Sequence, residues 1–400
     1  MTSTSEVRLR AIAGADPRQW TELSPDLEQG LTRQQLTALA PHQAVELLTR
    51  AELLLRNGCL EEVLVTAEGP RLARQLLSPY YQALAYQPEA TYRLSRFACC
   101  RREGRLLLIE SPRALARIVV LDPCALPALL VPDWGCQLLA ECGLHVTGPD
   151  EDEAPHLAVW EFHDLFFHAR SRRGRHRHPM GATRRFAGRL DPPQRRPRQP
   201  QGRLALGPPN GRLAQALDEV LANRRSRRQP GQPPLDLGRL GDFLHYCARA
   251  QEPGLKLRPF ASAGAIFEQE LYLTVGACVG LEPGFYRYDP LDHTLELFSS
   301  APQARLDMLF NAAWALGIER PPAVVVTMAA RFPALAWKYS AIAYSLALKN
   351  AGAILQTMYL VATALGLSVC ALGYGDSDLF CRLAGTVYEE ESSVAEFALM

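Results

Sequence analysis

The segment from Ala341 to Gly366 constrains the fold more than any other part of the sequence. It is apolar and long enough, as a helix, to cross a bilayer. It also carries Lys349, Asn350, Gln356 and Thr357, whose polar groups would be costly in lipid. We therefore expect a long buried helix in a soluble protein. A helix with so few charges needs more cover than one small sheet provides, so the segment also predicts a homodimer.

The composition excludes several classes of protein. The 400 residues are 48% hydrophobic and 21% charged, which is enough material for two or three domains with ordinary cores. The net charge of +1 gives no reason to expect a nucleic-acid-binding protein. The N-terminus has no apolar run after a basic start, and the ten cysteines match no disulfide or zinc pattern. We expect a cytoplasmic protein that binds neither nucleic acid nor membrane.

The spacing of apolar residues divides the chain into four parts. Residues 1–90 have mainly helical spacing, with a stop at Asn57-Gly58, and predict a helical module. Residues 91–150 read as two or three strands followed by a helix, which is typical of a winged-helix-like module that binds a peptide or supports its neighbour. Residues 151–203 predict an Arg- and Pro-rich linker, with an anion-attracting strip as the alternative.

Residues 204–400 predict a single α+β domain. Its expected elements include a β-hairpin that turns between Pro290 and His293, the buried helix from Ala341 to Leu365, and a final strand in EFALM. The expected architecture is a mixed sheet flanked by helices.

Most familiar catalytic motifs are absent, since the chain has no GxGxxG, GxxxxGK[ST], HExxH, CxxC or GxSxG. One segment that remains is the basic cluster of Arg224, Arg225, Ser226 and Arg228. Guanidinium groups beside a hydroxyl suit a phosphate, because arginine offers a planar fork of donors to its oxygens. A solvated basic surface is the alternative.

A second segment is the turn that contains Ser262, Ala263 and Gly264. Small residues allow the backbone to approach a flat ring closely and offer it amide donors. The alternative is an ordinary turn that leads into the strand QELYLTV.

A third segment is the pair Lys338 and Tyr339, directly before the buried helix. Only three lysines occur in a chain that otherwise uses arginine, so a retained lysine suggests a need for a titratable amine. A lysine and a tyrosine beside an apolar element are suitable proton-transfer groups, because burial would lower the pKa of the lysine. The alternative is a lysine that extends into solvent and a tyrosine that packs.

In this order and at these separations, the three segments resemble the SagB-type dehydrogenases. These are FMN-dependent, nitroreductase-like proteins that include the azoline oxidases of thiazole- and oxazole-modified peptide pathways. The resemblance runs from Tyr92 to Met400 and is most specific in ESPRALARIVV, RPFASAGAIFEQELYL and WKYSAIAYSLALKNAGAILQ. The first ninety residues are similar to the extra helical module of cyanobactin-type oxidases.

The resemblance implies roles for particular residues. It implies that the cluster of Arg224, Arg225, Ser226 and Arg228 contacts the FMN phosphate and ribityl chain. It implies that the turn at residues 262–264 contacts the isoalloxazine across a dimer interface. The backbone amides beside the reactive flavin edge would be those of Leu372, Gly373 and Tyr374. The catalytic pair would be Lys338 and Tyr339.

The sequence departs from the family pattern at three places. Ala261 replaces the proline that usually begins the turn, which predicts a less rigid loop. Ala353 and Thr357 replace polar residues of the buried helix, so its contacts to flavin or substrate differ from those of the family. No basic tail follows the last strand before Met400, so phosphate binding is expected to depend on the arginine cluster.

The resemblance implies an enzyme that oxidises a thiazoline or oxazoline in a ribosomally made precursor peptide to the aromatic azole, with Lys338 or Tyr339 as the base. One alternative is an NAD(P)H-dependent reductase of a nitro compound or a quinone. Another is a peptide-binding scaffold with a structural flavin that delivers substrate to a cyclodehydratase. The identity of the peptide, the choice of ring and leader-peptide binding by the N-terminal module remain open.

Overall fold

The computed structural model describes residues 6–13, 15–126, 134–148, 151–194, 199–251 and 257–400. They form two compact units, divided between residues 179 and 180. Each unit contains its own seven-stranded sheet and several helices, so the predicted α+β class is confirmed.

The described residues of the first unit form nine strands and five helices. The strands are β1 (Glu6–Ala11), β2 (Leu31–Thr32), β3 (Leu60–Thr66), β4 (Gly69–Leu76), β5 (Arg93–Leu94), β6 (Cys99–Glu103), β7 (Leu106–Glu110), β8 (Ala116–Val120) and β9 (His145–Val146). The helices are α1 (Arg33–Leu39), α2 (Ala44–Arg56), α3 (Trp134–Glu141), α4 (Pro155–Ala158) and α5 (Phe162–Arg170). The large sheet is antiparallel in the order β2-β1-β3-β4-β8-β7-β6, and β5 pairs with β9.

The prediction of a mainly helical module over residues 1–90 is wrong for the hairpin of β3 and β4. Gly58, with φ +71°, follows α2 and reverses the chain. The hairpin has apolar residues on both faces, because Leu60 and Leu72 join one core cluster while Val63 and Ala73 join another. A strand buried on both sides lacks the alternation that would have distinguished it from a helix.

The predicted boundary between residues 90 and 91 falls inside this sheet. Strand β4 pairs with β8 from Leu72–Val120 to Leu76–Ala116, so residues on both sides of the boundary share hydrogen bonds. The strands expected as the small ribbon of a winged-helix-like module are β6, β7 and β8 of the seven-stranded sheet. The helix predicted after them falls partly on residues 127–130, which lie outside the described residues.

The segment predicted as a linker contributes to both units. Residues 162–170 form α5, and Arg175 Nη1 donates to the carbonyl of Arg113 at 2.7 Å within the first unit. In the second unit, Gly181 and Ser340 exchange backbone hydrogen bonds of 3.0 and 3.3 Å. A helix and hydrogen bonds to the rest of each unit, rather than a solvated tether, therefore account for these parts of the segment.

In the second unit, the part of the chain that the structure describes forms seven strands and six helices. The strands are β10 (Gly202–Ala205), β11 (Gln269–Val275), β12 (Gly284–Asp289), β13 (Thr294–Ser299), β14 (Val324–Arg331), β15 (Val369–Ala371) and β16 (Glu391–Leu399). The helices are α6 (Leu217–Asn223), α7 (Leu237–Ala248), α8 (Pro302–Leu316), α9 (Phe332–Lys338), α10 (Ala343–Ala364) and α11 (Ser377–Ala384). The predicted hairpin is confirmed as β12 and β13, the buried helix as α10, and the final strand as the longer β16.

The sheet of the second unit has the order β10-β13-β12-β11-β14-β16-β15. Every pair of neighbouring strands in it is antiparallel, so the prediction of a mixed sheet is wrong. Strands β14 and β15 do run parallel to each other. They are not neighbours, because β16 inserts between them and is antiparallel to both.

Helices cover both faces of this sheet. Helices α7 and α10 pack on one face with Leu273, Val326 and Phe397, and α8 and α11 pack on the other with Tyr272. Because successive residues of a strand point to opposite faces, Phe397 faces α10 and its neighbour Glu396 faces the α8 side. Within the described residues, no helix combines the length and apolar character needed to cross a membrane.

Candidate functional site

The turn at Ser262–Gly264 meets the side chains of Lys338 and Tyr339. Gly264 has φ +61°, a conformation that favours glycine. A Cβ at this position would lie 2.5 Å from Tyr339 Oη and 2.6 Å from Lys338 Nζ, so both polar side-chain ends lie against the glycine. Lys338 Nζ is also 5.4 Å from the centre of the Tyr339 ring. Two of the three segments singled out in the sequence therefore form one cluster.

Asn350 of α10 fixes this turn. Its Oδ1 accepts a hydrogen bond of 3.1 Å from the amide of Ala263, and its Nδ2 donates to both carboxylate oxygens of Glu268 at 2.9 and 3.1 Å. Ser262 Oγ lies 3.3 Å from the same carboxylate and accepts from the amide of Phe267 at 3.0 Å. Glu268 is fully buried. The turn is thus tied to the core by hydrogen bonds.

The catalytic pair predicted by the resemblance lies at the end of α9, and a neighbouring segment holds it. The Lys338 carbonyl accepts from the amide of Arg184 at 3.0 Å, and Trp337 Nε1 donates to the carbonyl of Leu190 at 3.0 Å. Thr183 Oγ1 and Ser340 Oγ lie 2.6 Å apart. Both Lys338 and Tyr339 remain partly exposed, so they are available to a ligand.

The arginine cluster lies directly after α6. Arg227 donates its backbone amide to the carbonyl of Val369 at 2.8 Å, which fixes the segment to β15. Arg225 Nη1 lies 2.8 Å from the Ala222 and Arg224 carbonyls at the end of the helix. Among the described residues, no carboxylate lies within 4 Å of the guanidinium groups of this cluster. The uncompensated positive charge suits an anionic group.

Tyr359 connects the arginine cluster with the end of β15. Its hydroxyl oxygen accepts from the amide of Ala371 at 2.8 Å and lies 2.8 Å from Ser226 Oγ, to which it can donate. The guanidinium of Arg224 lies over its ring at 5.3 Å from the centre. Ala371 directly precedes Leu372, so one side chain positions both the cluster and the loop expected at the flavin edge.

The loop at Leu372–Tyr374 has exposed backbone at Gly373. The amide of Leu372 donates to the carbonyl of Glu396 at 3.0 Å, which anchors the start of the loop. Gly373 is exposed, and a Cβ there would meet nothing within 4 Å among the described residues. The loop therefore offers an accessible stretch of backbone beside the position where Tyr359 holds Ser226.

These residues form two groups on opposite flanks of α10. One group is the turn with Lys338, Tyr339 and Asn350, and the other is the arginine cluster with Tyr359 and the loop after β15. Asn350 and Tyr359 are nine residues apart. That spacing separates them by about 13.5 Å along the helix and about half a turn around it. The structure does not bring all the predicted site residues together within one chain.

Sequence reasoning did not identify Glu268, Asn350 or Tyr359 as site residues. A polar Asn350 in an apolar helix was a visible signal, but its partner Glu268 is 82 residues away. No group of three or more metal-binding side chains is present in the part of the chain that the structure describes.

Comparisons with known proteins show the family to which the chain belongs. Residues 222–395 match the model of the nitroreductase family, and they include every predicted site residue. Residues 92–132 and 134–177 match the model of the cyanobactin oxidase ThcOx. A "Putative nitroreductase" of Methanocaldococcus jannaschii is 30% identical over 164 residues, which cover 39% of this chain and 78% of that protein.

Solved structures are similar at lower sequence identity. A "putative nitroreductase" of Ralstonia eutropha is 20% identical, with a TM-score of 0.43, and the match covers 52% of this chain and 96% of that one. The Escherichia coli microcin synthetase McbBCD complex with truncated pro-MccB17 bound is 18% identical, with a TM-score of 0.39, over 55% of this chain and 86% of the other. The identity and coverage of the archaeal relative, together with the family match across the site, show that the chain belongs to the nitroreductase family.

Proposed function

We propose that this protein is an FMN-dependent oxidase that converts thiazoline or oxazoline rings of a ribosomally made peptide to thiazoles or oxazoles. The observation that carries the proposal is the convergence of Lys338 Nζ and Tyr339 Oη on Gly264. The match of residues 92–132 and 134–177 to a cyanobactin oxidase supports a peptide substrate. Such a protein would work in the cytoplasm, with a cyclodehydratase as a possible partner that supplies the azoline.

The residues present fit FMN. The uncompensated guanidinium groups of Arg224, Arg225 and Arg228 with the Ser226 hydroxyl would hold the phosphate and ribityl chain. The open backbone at Gly373 and its neighbours Leu372 and Tyr374 would lie beside the flavin edge. The turn at Ser262–Gly264 would contact the ring system. When bound, FMN supplies the two-electron acceptor for the hydrogen that leaves the azoline as hydride.

The chain's own contribution is to position the substrate and to move one proton. Aromatisation removes a proton from the carbon next to the imine, so the site needs a base near that carbon. Lys338 Nζ and Tyr339 Oη both lie against Gly264. Asn350 holds the turn that contains Gly264, and the segment at residues 183–190 holds Trp337 and Ser340, on either side of the pair. One of the pair would take the proton while the other orients it or stabilises the developing charge.

The proposal requires two copies of the chain. The arginine cluster and the Lys338–Tyr339 pair lie on opposite flanks of α10, so one flavin would contact the first group of one copy and the second group of its partner. We expect the flavin-loaded protein to sediment as a homodimer in analytical ultracentrifugation. A fully flavin-loaded monomer would contradict the two-copy site.

The experiment is to incubate the flavin-loaded protein with a short thiazoline-containing peptide in air and to follow the mass of the peptide. We expect the loss of two hydrogen atoms per ring with the wild type, and at least about a hundredfold slower loss with Lys338→Ala and Tyr339→Phe, which remove a group involved in proton transfer. Lys349→Ala, at an exposed lysine outside the pair, is the control and should keep the wild-type rate. Unchanged peptide with every protein would reject the proposal in favour of a small-molecule reductase.

A further inference from the structure

A cleft of about 500 Å³ opens on the α8 side of the second sheet. Its walls come from α8, from the loop after β15 and the start of α11, and from β16. It is separate from the face on which α10 packs, because β16 directs Phe397 to that face and Glu396 to this cleft.

Three aromatic side chains line the cleft and are largely exposed. Trp314 is 77% exposed, which is unusual for the largest apolar side chain, and Tyr374 and Tyr388 are about half exposed. The rings of Trp314 and Tyr374 are 5.8 Å apart at an angle of 72°. The exposed π face of an aromatic ring attracts cations.

Three carboxylates line the same cleft, namely those of Asp376, Asp378 and Glu396. Among the described residues, no arginine, lysine or histidine nitrogen lies within 4 Å of any of them. Glu396 is only 4% exposed and has the Ser393 hydroxyl as its hydrogen-bonding neighbour. Burial without a cation raises the pKa of the Glu396 carboxyl, so a positively charged occupant would favour its ionised form.

We infer that this cleft binds a basic side chain, arginine or lysine, of the peptide substrate. Exposed aromatic rings and carboxylates without a cation beside them are together complementary to a guanidinium or ammonium group. The inference rests on the proposed function for the identity of the occupant, and it adds a charge preference to the substrate class.

The cleft adjoins the loop after β15, and this position favours a peptide as its occupant. Leu372 and Tyr374 line the cleft and also belong to the loop proposed to lie at the flavin edge. A peptide whose azoline reaches that loop therefore has the cleft next to it. Leu306, Phe310 and Trp314 are exposed at intervals of four residues on α8, so they form one apolar stripe that ends at the cleft and can support neighbouring peptide residues.

The test begins with binding, independently of oxidation. Calorimetric titration of the flavin-loaded protein compares two blocked tripeptides without an azoline, one with a central arginine and one with citrulline, which has the same shape without the charge. We expect the arginine peptide to bind about tenfold more tightly, as a cation–π contact with a partly screened ion pair would give. Equal affinities, or no heat from either peptide at millimolar concentrations, would overturn the inference.

Substitutions in the cleft test whether it is the binding site. Trp314→Ala and Asp378→Asn should each lower the affinity for the arginine peptide by about three- to tenfold and leave the affinity for the citrulline peptide unchanged. Asp292→Asn, at an exposed carboxylate outside the cleft, is the matched control and should change neither. A loss for both peptides in Trp314→Ala would show an apolar contact without a preference for charge, and no loss in either cleft variant would place the binding elsewhere. Either result would reject the inference.

Oxidation assays separate this inference from the proposed function. Thiazoline peptides with arginine beside the ring should have about tenfold higher kcat/KM than those with citrulline. If both are oxidised equally, the cleft inference fails and the proposed function stands. If neither is oxidised while the arginine tripeptide still binds at the cleft, the proposed function fails and the cation site stands without its assigned substrate.

Discussion

Gly264 lies where the turn after Phe260 meets the ends of Lys338 and Tyr339. We predict that Gly264→Ala lowers the rate of azoline oxidation about a hundredfold, because the new Cβ displaces both side chains from a geometry that tolerates little error. The positive φ at this position should cost only about 1 to 2 kcal/mol of the free energy of unfolding. Peptide turnover and thermal unfolding of the purified variant measure the two effects.

Gly207→Ala is the control, because a Cβ at Gly207 would meet nothing within 4 Å among the described residues. It should leave both turnover and unfolding close to those of the wild type. Full activity in Gly264→Ala would show that the close approach of Lys338 and Tyr339 to the turn has no catalytic role.

Asn350 is the residue that joins the turn to α10. We predict that Asn350→Ala lowers the free energy of unfolding by about 2 to 4 kcal/mol, because the buried Glu268 carboxylate loses two donors and the Ala263 amide loses its acceptor. Urea unfolding measures the loss. Gln356→Ala, on the exposed face of the same helix, should change it by less than about 0.5 kcal/mol. Similar values for both variants would mean that the hydrogen bonds to Asn350 are not stabilising.

The residues of the site were predictable where chemistry shows in the local sequence. Lys338 and Tyr339, the small residues of the turn and the arginine cluster are candidates by residue type, and the family resemblance implied their roles. Glu268 and Tyr359 did not, because their roles depend on contacts with residues far away in sequence. Glu268 pairs with Asn350 across 82 residues, and Tyr359 lies near Ser226 across 133.

The segment that follows α6 supplies positive charge without a carboxylate beside it. We predict that the double variant Arg225→Ala/Arg228→Ala loses affinity for FMN by at least about tenfold, since each charge-assisted hydrogen bond to a phosphate contributes about 1.5 to 3 kcal/mol. Riboflavin, which lacks the phosphate, should bind both proteins equally. Fluorescence titration of the apoprotein with each flavin measures this. Arg382→Ala, on α11, is the control, and equal losses for FMN and riboflavin would contradict a phosphate role.

Helices and strands whose apolar residues repeat at a regular spacing were predicted well. Strands that depend on pairing with distant segments of the chain were not. The apolar segment of α10 and the hairpin of β12 and β13 follow directly from local pattern. Strands β3 and β4 were missed because they are buried on both faces. The insertion of β16 between β14 and β15 could not be read from local pattern, since it depends on pairing between distant segments.

Each unit contains a histidine that folding keeps neutral, so the stability of the whole molecule depends on pH. Burial, reinforced by Arg170, lowers the pKa of His178 to about 4 in the first unit. Burial, reinforced by Arg249, lowers the pKa of His293 to about 4 in the second. Unfolding restores an ordinary pKa of about 6.5 to both. Below that pH the unfolded chain binds protons that the folded chain does not, so both contributions are complete above about pH 6.5 and decrease towards pH 4.

We predict that the first unit becomes less stable as the pH falls from about 6.5 to about 4 and that His178→Gln reduces this dependence, while in the second unit His293→Gln removes the same contribution. Glu396 opposes it in the second unit, because burial raises the pKa of its carboxyl to about 7. The contribution of Glu396 to the stability of the second unit is complete below about pH 4.5 and is lost as the pH rises to about 7. Urea unfolding at pH 5 and pH 7 for wild type and variants measures the slopes. An unchanged slope in both histidine variants would assign the pH dependence to other groups.

The most direct test of the central claim is the visible absorbance of the bound flavin in an anaerobic mixture with a short thiazoline peptide. If the protein oxidises azolines through Lys338 and Tyr339, the wild type should bleach, while Lys338→Ala and Tyr339→Phe should bleach slowly or not at all. If the flavin stays oxidised with the peptide but bleaches readily with NAD(P)H, the claim is wrong and the protein is a reductase of small molecules.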